Sequence, residues 1–196
     1  MKKSNEVTLK IKGDINDFKK ALEEKGYEQT DHYILYDTFM IPESLELDKL
    51  STRDIVSKAV IIRKVEDIAK NEIRQDMSYK MKKFNEKGEI VEQKSTRLKV
   101  LDCGDAENFM STIGYKKIMN ITEEDCGYQK DGKNITTKDV KNGDKMIESE
   151  TEENDPKFDT IEKIKEYLKT EGLPLDFNDC FIKKAEVELN KLLNRN

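Results

Sequence analysis

Strand-like runs separated by two-residue turn signals fill most of this chain. Residues 6–12 alternate polar and apolar side chains, which is the period of a half-buried β-strand. Later in the chain, Asp131-Gly132 and Asn142-Gly143 separate further strand-like runs. Both dipeptides favour the tight turns that join neighbouring antiparallel strands. The sequence therefore predicts an antiparallel sheet.

Two parts of the sequence repeat the same order of elements. A strand, a helix bearing Phe18 and the pair Gly26-Tyr27 are echoed by a strand, a helix bearing Phe109 and the pair Gly114-Tyr115. Two such halves, each continued by hairpins, would close into one barrel. The interior of a barrel of about eight strands is wide enough for side chains or one small ligand. We therefore predict an α+β fold: a closed or nearly closed antiparallel β-barrel of about eight strands with helices packed outside. Residues 56–65 are predicted to be one of its strands, and two helices (158–171 and 178–194) end a single domain covering residues 1–196.

Charge and cysteine content narrow the function classes. Charged residues make up 39% of the chain, the formal net charge is −5, and the basic residues are interleaved with acids. A nucleic-acid or membrane-surface protein would need a basic excess, so we expect neither partner. The N-terminus runs into a strand without an apolar stretch, and the three cysteines include no CxxC pair. We expect a cytoplasmic protein, a monomer or homodimer, with no disulfide framework or zinc site. The one histidine, His32, is interpreted as a partly exposed strand residue.

Acidic residues share one face of a late strand. Glu148, Glu150 and Glu152 stand two residues apart, so three like charges would lie side by side. A divalent cation with oxygen ligands would offset their repulsion, and solvation at a sheet edge is the alternative.

Cationic residues recur on other predicted strands. Lys10 follows Glu6 on the first strand, Arg63 ends an apolar run, and Lys80 and Lys82 share one face of the next strand. If these faces point inward with the acidic one, the interior suits a complex of Mg²⁺ or Mn²⁺ with a polyphosphate. The alternative is a set of two-faced strands with salt bridges on their outer surfaces.

The order of these motifs resembles the CYTH proteins of the triphosphate tunnel metalloenzyme superfamily, which include class IV adenylate cyclases and thiamine and inorganic triphosphatases. The resemblance covers nearly the whole chain. The matching segments are Glu6-Val7-Thr8-Leu9-Lys10, Gly26-Tyr27, Asp37-Thr38-Phe39 with Pro42, Val60-Ile61-Ile62-Arg63, Ser78-Tyr79-Lys80, Asp139-Val140 and Glu148-Ser149-Glu150.

The chain departs from the family pattern at three places. Thr8 stands where the family has a second glutamate, and Ile61 stands where it has an arginine. The basic pair of the family's sixth strand is replaced by the acidic run Glu123-Glu124-Asp125. Each lost charged hydrogen bond would weaken ligand binding by about 1–3 kcal/mol.

The resemblance implies a metal-dependent hydrolase of a triphosphate bound inside the barrel. Glu6, Glu148 and Glu150 would hold Mg²⁺ or Mn²⁺, and Asp139 or Glu92 would orient the attacking water. The substrate-binding residues would be Lys10, Arg63, Lys80 and Lys82. The resemblance leaves the substrate open among inorganic triphosphate, thiamine triphosphate and ATP. The alternatives are an enzyme like the class IV adenylate cyclases, or a catalytically inactive CYTH-like module that binds an anionic phosphate ligand.

Overall fold

The computed structural model describes residues 6–84, 86, 90–152 and 155–195, without the side chains of residues 82, 84 and 90–93. Within these residues it is an α+β fold of nine strands and five α-helices. The strands are β1 (Glu6–Ile11), β2 (Glu28–Pro42), β3 (Val60–Asp67), β4 (Glu72–Phe84), β5 (Ile90–Lys99), β6 (Tyr115–Lys130), β7 (Lys133–Val140), β8 (Lys145–Glu150) and β9 (Leu175–Asp176). The helices are α1 (Ile15–Glu24), α2 (Thr52–Ser57), α3 (Cys103–Thr112), α4 (Ile161–Thr170) and α5 (Lys184–Leu192), with a 3-10 turn at Leu47–Lys49. None of the helices in this part of the chain is long and apolar enough to cross a membrane.

The strands form one antiparallel sheet in the order β5-β4-β3-β2-β6-β7-β8-β1-β9. The antiparallel α+β prediction is confirmed. Closure of the barrel is not, because β5 and β9 lie at the two ends of the sheet and no pairing joins them among the described residues. The strand missing from the prediction is β9, which pairs with β1 through Lys10↔Asp176 and Ile11↔Leu175. Two residues are too few to show a periodicity in the sequence.

The predicted turns are found where the backbone must take positive φ. Asp131 and Gly132 have φ values of 50° and 80°, and they alone separate β6 from β7. Positive φ at both central residues is the requirement of the two-residue turn that best fits the twist of a hairpin. Gly26 and Gly114 follow α1 and α3 with φ values of 84° and 88°, as residues that end helices do.

Two predicted boundaries were wrong. Residues 56–65 are not one strand, because α2 runs through Ser57 and β3 begins at Val60. The hydroxyl oxygen of Ser51 accepts a hydrogen bond from the backbone N–H of Asp54 and caps α2. The apolar run that follows shows no periodicity that distinguishes a helix from a strand, so the sequence does not reveal this boundary. The last helix, α5, begins at Lys184 rather than at residue 178. The Asp176 and Asp179 carboxylates accept nearby backbone N–H groups and hold this stretch in turns.

The chain divides into two compact units. The first comprises residues 1–32, 84–92 and 124–182. In its described part, the buried core joins Val7 and Leu9 of β1 to Phe18 of α1 and Ile164 of α4. Alternate side chains of a strand point to opposite faces, so residues 6, 8 and 10 face away from this core.

The second unit comprises residues 33–83, 93–123 and 183–196. One of its apolar clusters joins Met40 of β2 and Ile62 of β3 to Ala106 and Met110 of α3. The odd-numbered residues of β2 and β3 therefore lie on the face away from α3. Helix α5 is tied to α2 of the same unit by a bidentate ion pair from Arg53 to Glu186.

Candidate functional site

Three glutamates of the first unit meet on the sheet face opposite the buried core of that unit. The antiparallel register places Glu6 opposite Glu150 and Thr8 opposite Glu148. Side chains that are opposite or two residues apart on one face are neighbours. Carboxylate oxygens of Glu6, Glu148 and Glu150 lie within 4.8 Å of one another, so the structure brings together the three predicted metal ligands.

The chemistry of this carboxylate cluster fits a hard divalent cation. Three negative charges at such distances repel one another, and carboxylate oxygens are the ligands that Mg²⁺ and Mn²⁺ prefer. Glu6 and Glu148 are half-buried and Glu150 is exposed, so the cluster is open to solvent on one side.

Lys138 is a cation beside this cluster that sequence reasoning missed. It lies on β7, where Thr136 is opposite Glu148, so residues 136 and 138 share the face of the cluster. Lys138 Nζ lies 3.1 Å from Asp125 Oδ2 and 3.6 Å from Glu148 Oε2. The lysine therefore links a glutamate of the cluster to the acidic run on β6.

Lys133 holds the end of β8 from the other side of the sheet. Its ammonium donates to the backbone carbonyl of Glu150, lies 3.6 Å from a carboxylate oxygen of Glu152 and sits over the Phe158 ring. Burial lowers the pKa of Lys133, and the nearby carboxylates oppose this effect. Lys133 is completely buried, so its side chain fixes the backbone of Glu150 without reaching the open side of the cluster.

Position 8 and Lys10 lie on the cluster side of β1. Thr8 is buried, and its backbone N–H donates to the carbonyl of Cys180 at 3.0 Å. The position at which the sequence departs from the CYTH pattern is thus directly opposite Glu148. Lys10 shares this face and pairs with Asp144 at 2.9 Å.

Asp139, predicted to orient a water, is on the other face of β7. It is opposite Lys145, with which it forms an ion pair. It lies on the same face of β7 as the buried Ile135 and Thr137. The β7–β8 register therefore turns Asp139 to the face away from Glu148, and its role in orienting a water stays a prediction. The side chains of Glu92 and Lys82 lie outside the described residues, so their predicted roles stay predictions.

In the second unit, Arg63 is already bound to an acid of its own unit. Its guanidinium donates to both carboxylate oxygens of Asp37, at 2.5 and 2.6 Å. Lys184, at the start of α5, lies 3.4 Å from Asp37 and forms a second ion pair with Glu123. Burial alone would raise the pKa of Asp37, but Arg63 and Lys184 outweigh it and hold that pKa below its ordinary value.

Lys80 shares a sheet face with Arg63. The β3–β4 register places Arg63 opposite Asp76 and Ile61 opposite Ser78, and Lys80 continues this parity on β4. Two of the predicted phosphate ligands are therefore on one face of the second unit. Ile61, the other departure from the family pattern, is on that face too.

The acidic run on β6 is ion-paired along its length. Glu123 and Asp125 are buried and pair with Lys184 and Lys138, while Glu124 points to the other face and pairs with Lys19. These lysines therefore neutralise part of the negative charge that the acidic run adds to β6. Alternation along β6 could have predicted that Glu124 faces away from Glu123 and Asp125. No local sequence pattern predicts the lysine partners of Glu123 and Asp125, which are 61 and 13 residues away.

Comparison with known proteins finds similarity in structure alone. No family model matches the sequence, and no curated protein matches it. The PH1819 protein of Pyrococcus horikoshii superposes with a TM-score of 0.68 at 19% identity, over 95% of this chain and 99% of the other. A candidate adenylate cyclase from Vibrio parahaemolyticus gives 0.59 at 11% identity, over 96% of this chain and 97% of that one.

A third similar structure is HpAC1 from Hippeastrum, a candidate adenylyl cyclase with a dominant triphosphatase activity. Its TM-score is 0.60 at 10% identity, over 98% of this chain and 97% of HpAC1. Such low identities establish the fold alone. The fold of this chain is CYTH-like, as the resemblance in sequence predicts.

Proposed function

We propose that this chain is a metal-dependent hydrolase of a triphosphate, inorganic or organic, that uses Mg²⁺ or Mn²⁺. One observation carries the proposal: three carboxylates on facing strands have oxygens within 4.8 Å of one another in a CYTH-like fold. HpAC1, a structural neighbour of the chain, has a dominant triphosphatase activity.

In the first unit, the acidic residues of the proposed site bind the cation and the basic residues bind the phosphates. Glu6, Glu148 and Glu150 hold the cation, which supplies Lewis-acid polarisation of a phosphoryl oxygen when it is bound. Lys10 and Lys138, on the same face, attract the phosphate oxygens. Lys138 also neutralises Asp125, which keeps that carboxylate from repelling the substrate.

The other predicted roles belong to the proposal as well. Arg63, Lys80 and Lys82 remain the residues that the CYTH resemblance names for the phosphates, and Glu92 remains the residue for orienting water. Asp139 is named with Glu92 for this role, and the β7–β8 register turns Asp139 to the face away from Glu148.

A second candidate is a binding module without turnover. The observation that favours it is the bidentate bond from Arg63 to the buried Asp37, because a guanidinium balanced by a carboxylate binds phosphate less strongly. Thr8 favours it too, since it removes one family carboxylate from the cluster.

Thermal unfolding tests the metal site. In the presence of a triphosphate, Mg²⁺ or Mn²⁺ is expected to raise Tm by about 5–10 °C when the concentration of the metal–triphosphate complex is about 100 times its Kd for the protein. Glu148→Gln combined with Glu150→Gln is expected to remove most of this shift. The matched control is Glu162→Gln with Glu166→Gln, which makes the same charge change on exposed residues of α4 and should keep the shift. An equal shift in both double variants would mean that the cation acts at the surface instead.

Phosphate release tests the reaction. The protein is assayed with Mg²⁺ and Mn²⁺ on inorganic triphosphate, thiamine triphosphate and ATP, with cyclic AMP measured in parallel. Metal-dependent phosphate release that the Glu148→Gln, Glu150→Gln variant lacks would support the hydrolase. Cyclic AMP without phosphate release would point to a cyclase. Triphosphate binding without either product would favour the binding module.

A further inference from the structure

A second cluster of metal-binding side chains lies in the first unit, on strands β2 and β6. Ligand atoms of His32, Glu124 and Cys126 are all within 4.8 Å of one another. Glu124 Oε1 is the common point, 3.1 Å from His32 Nε2 and 3.7 Å from Cys126 Sγ. Glu124 and Cys126 are two residues apart on β6, and His32 lies on the neighbouring strand β2. The arrangement is therefore held by the sheet.

This His-Glu-Cys cluster is separate from the carboxylate cluster. On β6, residues 124 and 126 alternate with Asp125, which faces Lys138. Cys126 belongs to the apolar core of the unit, on the face that α1 covers. The proposed hydrolase mechanism uses none of the three residues.

The donor set favours a different class of metal from the carboxylate cluster. An imidazole nitrogen, a thiolate sulfur and one carboxylate oxygen are ligands of zinc and related transition metals, whereas Mg²⁺ takes oxygen ligands. Bonds of about 2.0–2.3 Å at tetrahedral angles place two zinc ligands about 3.3–3.5 Å apart. The observed separations of 3.1 and 3.7 Å fall close to that spacing on either side.

We propose that His32, Glu124 and Cys126 form a binding site for Zn²⁺ or a similar transition-metal dication. The three side chains supply one nitrogen, one oxygen and one sulfur ligand, so the proposal departs from the expectation, based on cysteine spacing, that the chain has no zinc site. The side chains of His32 and Glu124 are 31% and 41% exposed, so water can reach the fourth position. Binding converts the Cys126 thiol to a thiolate and releases its proton to solvent.

Lys19 of α1 shows that this site attracts a cation. Its ammonium lies 3.1 Å from Glu124 Oε1, the oxygen that the metal would use. A dication that takes three ligands at once is expected to displace this single ammonium contact.

Cobalt titration of the whole protein tests the proposal. Co²⁺ bound by a thiolate shows a sulfur-to-metal charge-transfer absorption in the near ultraviolet, which an all-oxygen site lacks. The wild type is expected to show this band with one Co²⁺ per chain and to lose it when Zn²⁺ is added. Cys126→Ser is expected to abolish the band, and His32→Gln to weaken Co²⁺ binding at least about tenfold, a loss of about 1.4 kcal/mol.

Two control variants should keep the band. Cys180→Ser removes a thiol outside the cluster, and Glu148→Gln with Glu150→Gln removes the carboxylate cluster without changing this site. The absence of a band in the wild type, or an equal band in Cys126→Ser, would overturn the proposal. Because Cys126 is buried and its variant can fail to fold, the partly exposed His32 gives a second test: unchanged Co²⁺ affinity in His32→Gln would overturn it too.

Discussion

The second unit contains buried charges that depend on one another for neutralisation. Asp37 keeps its carboxylate with 1% of its side chain exposed, because Arg63 and Lys184 both lie against it. Glu123 is equally buried and shares Lys184. Removing one member of such a network leaves the others buried without enough opposite charge, which costs more than the loss of an exposed ion pair.

Asp37→Asn is expected to lower the free energy of unfolding at pH 7 by about 3 kcal/mol. The charged groups facing Asp37 are Arg63 and Lys184, with Glu123 across the shared lysine. They lower the pKa of Asp37 on folding, so its contribution is fully present above the ordinary carboxyl pKa of about 4. It is lost as the pH falls through the lowered value of the folded state.

Urea unfolding of both proteins between pH 7 and pH 3 measures this linkage. The difference between wild type and Asp37→Asn should be constant from pH 7 to pH 5 and shrink below about pH 4. Asp48→Asn, at an exposed position, is the control and should differ from wild type by less than about 0.5 kcal/mol. A difference that grows on acidification would contradict the assignment.

At the scale of elements, the register between β1 and β8 decides what the carboxylate cluster can hold. Thr8 lies opposite Glu148 and Glu6 lies opposite Glu150, so a side chain at position 8 joins the cluster directly. Thr8 adds a short neutral side chain where the CYTH pattern has a carboxylate. A cation would therefore meet three carboxylates here, with room for phosphate or water oxygens.

Thr8→Glu is expected to act in opposite directions with and without a cation. In EDTA a fourth carboxylate at this buried position should lower Tm, because it adds repulsion to the three already present. With Mn²⁺ and triphosphate it should enlarge the metal-dependent rise in Tm. Thr8→Gln, similar in size but neutral, separates the charge effect from packing. Identical behaviour of the glutamate and glutamine variants in both buffers would show that position 8 does not contact the cation.

Strand periodicity could predict part of this architecture but not its long-range pairs. Alternation puts Glu148 and Glu150, two of the proposed metal ligands, on one face of their strand, and the turn dipeptides predict the hairpins. The sequence alone also shows that Asp139 is an even number of residues from the apolar Ile135, which places both on one face of β7. The pairs Lys138–Asp125 and Lys184–Glu123 and the His32–Glu124–Cys126 cluster depend on tertiary folding, which no local pattern encodes.

At the scale of the whole molecule, the enzyme and binding-module hypotheses predict different results when the two missing family side chains are put back. Thr8→Glu with Ile61→Arg recreates the CYTH pattern on one strand of each unit. For a weakened triphosphatase, each change adds a charged contact to the metal or the phosphates, and kcat/KM should rise about tenfold. The charge-free control is Thr8→Gln with Ile61→Met. A folded double variant with no gain over this control would favour the binding module.

The alternation along β1 separates the residues that pack in the core from those on the face of the proposed site. Val7, Leu9 and Ile11 make the core, while Glu6, Thr8 and Lys10 face the other way. Mutation can therefore rewrite one set during evolution while selection for a folded core preserves the other. A lineage could lose, regain or exchange its substrate at this face without passing through an unfolded ancestor. Structures that superpose on this one at 10–19% identity show how much sequence change one fold tolerates.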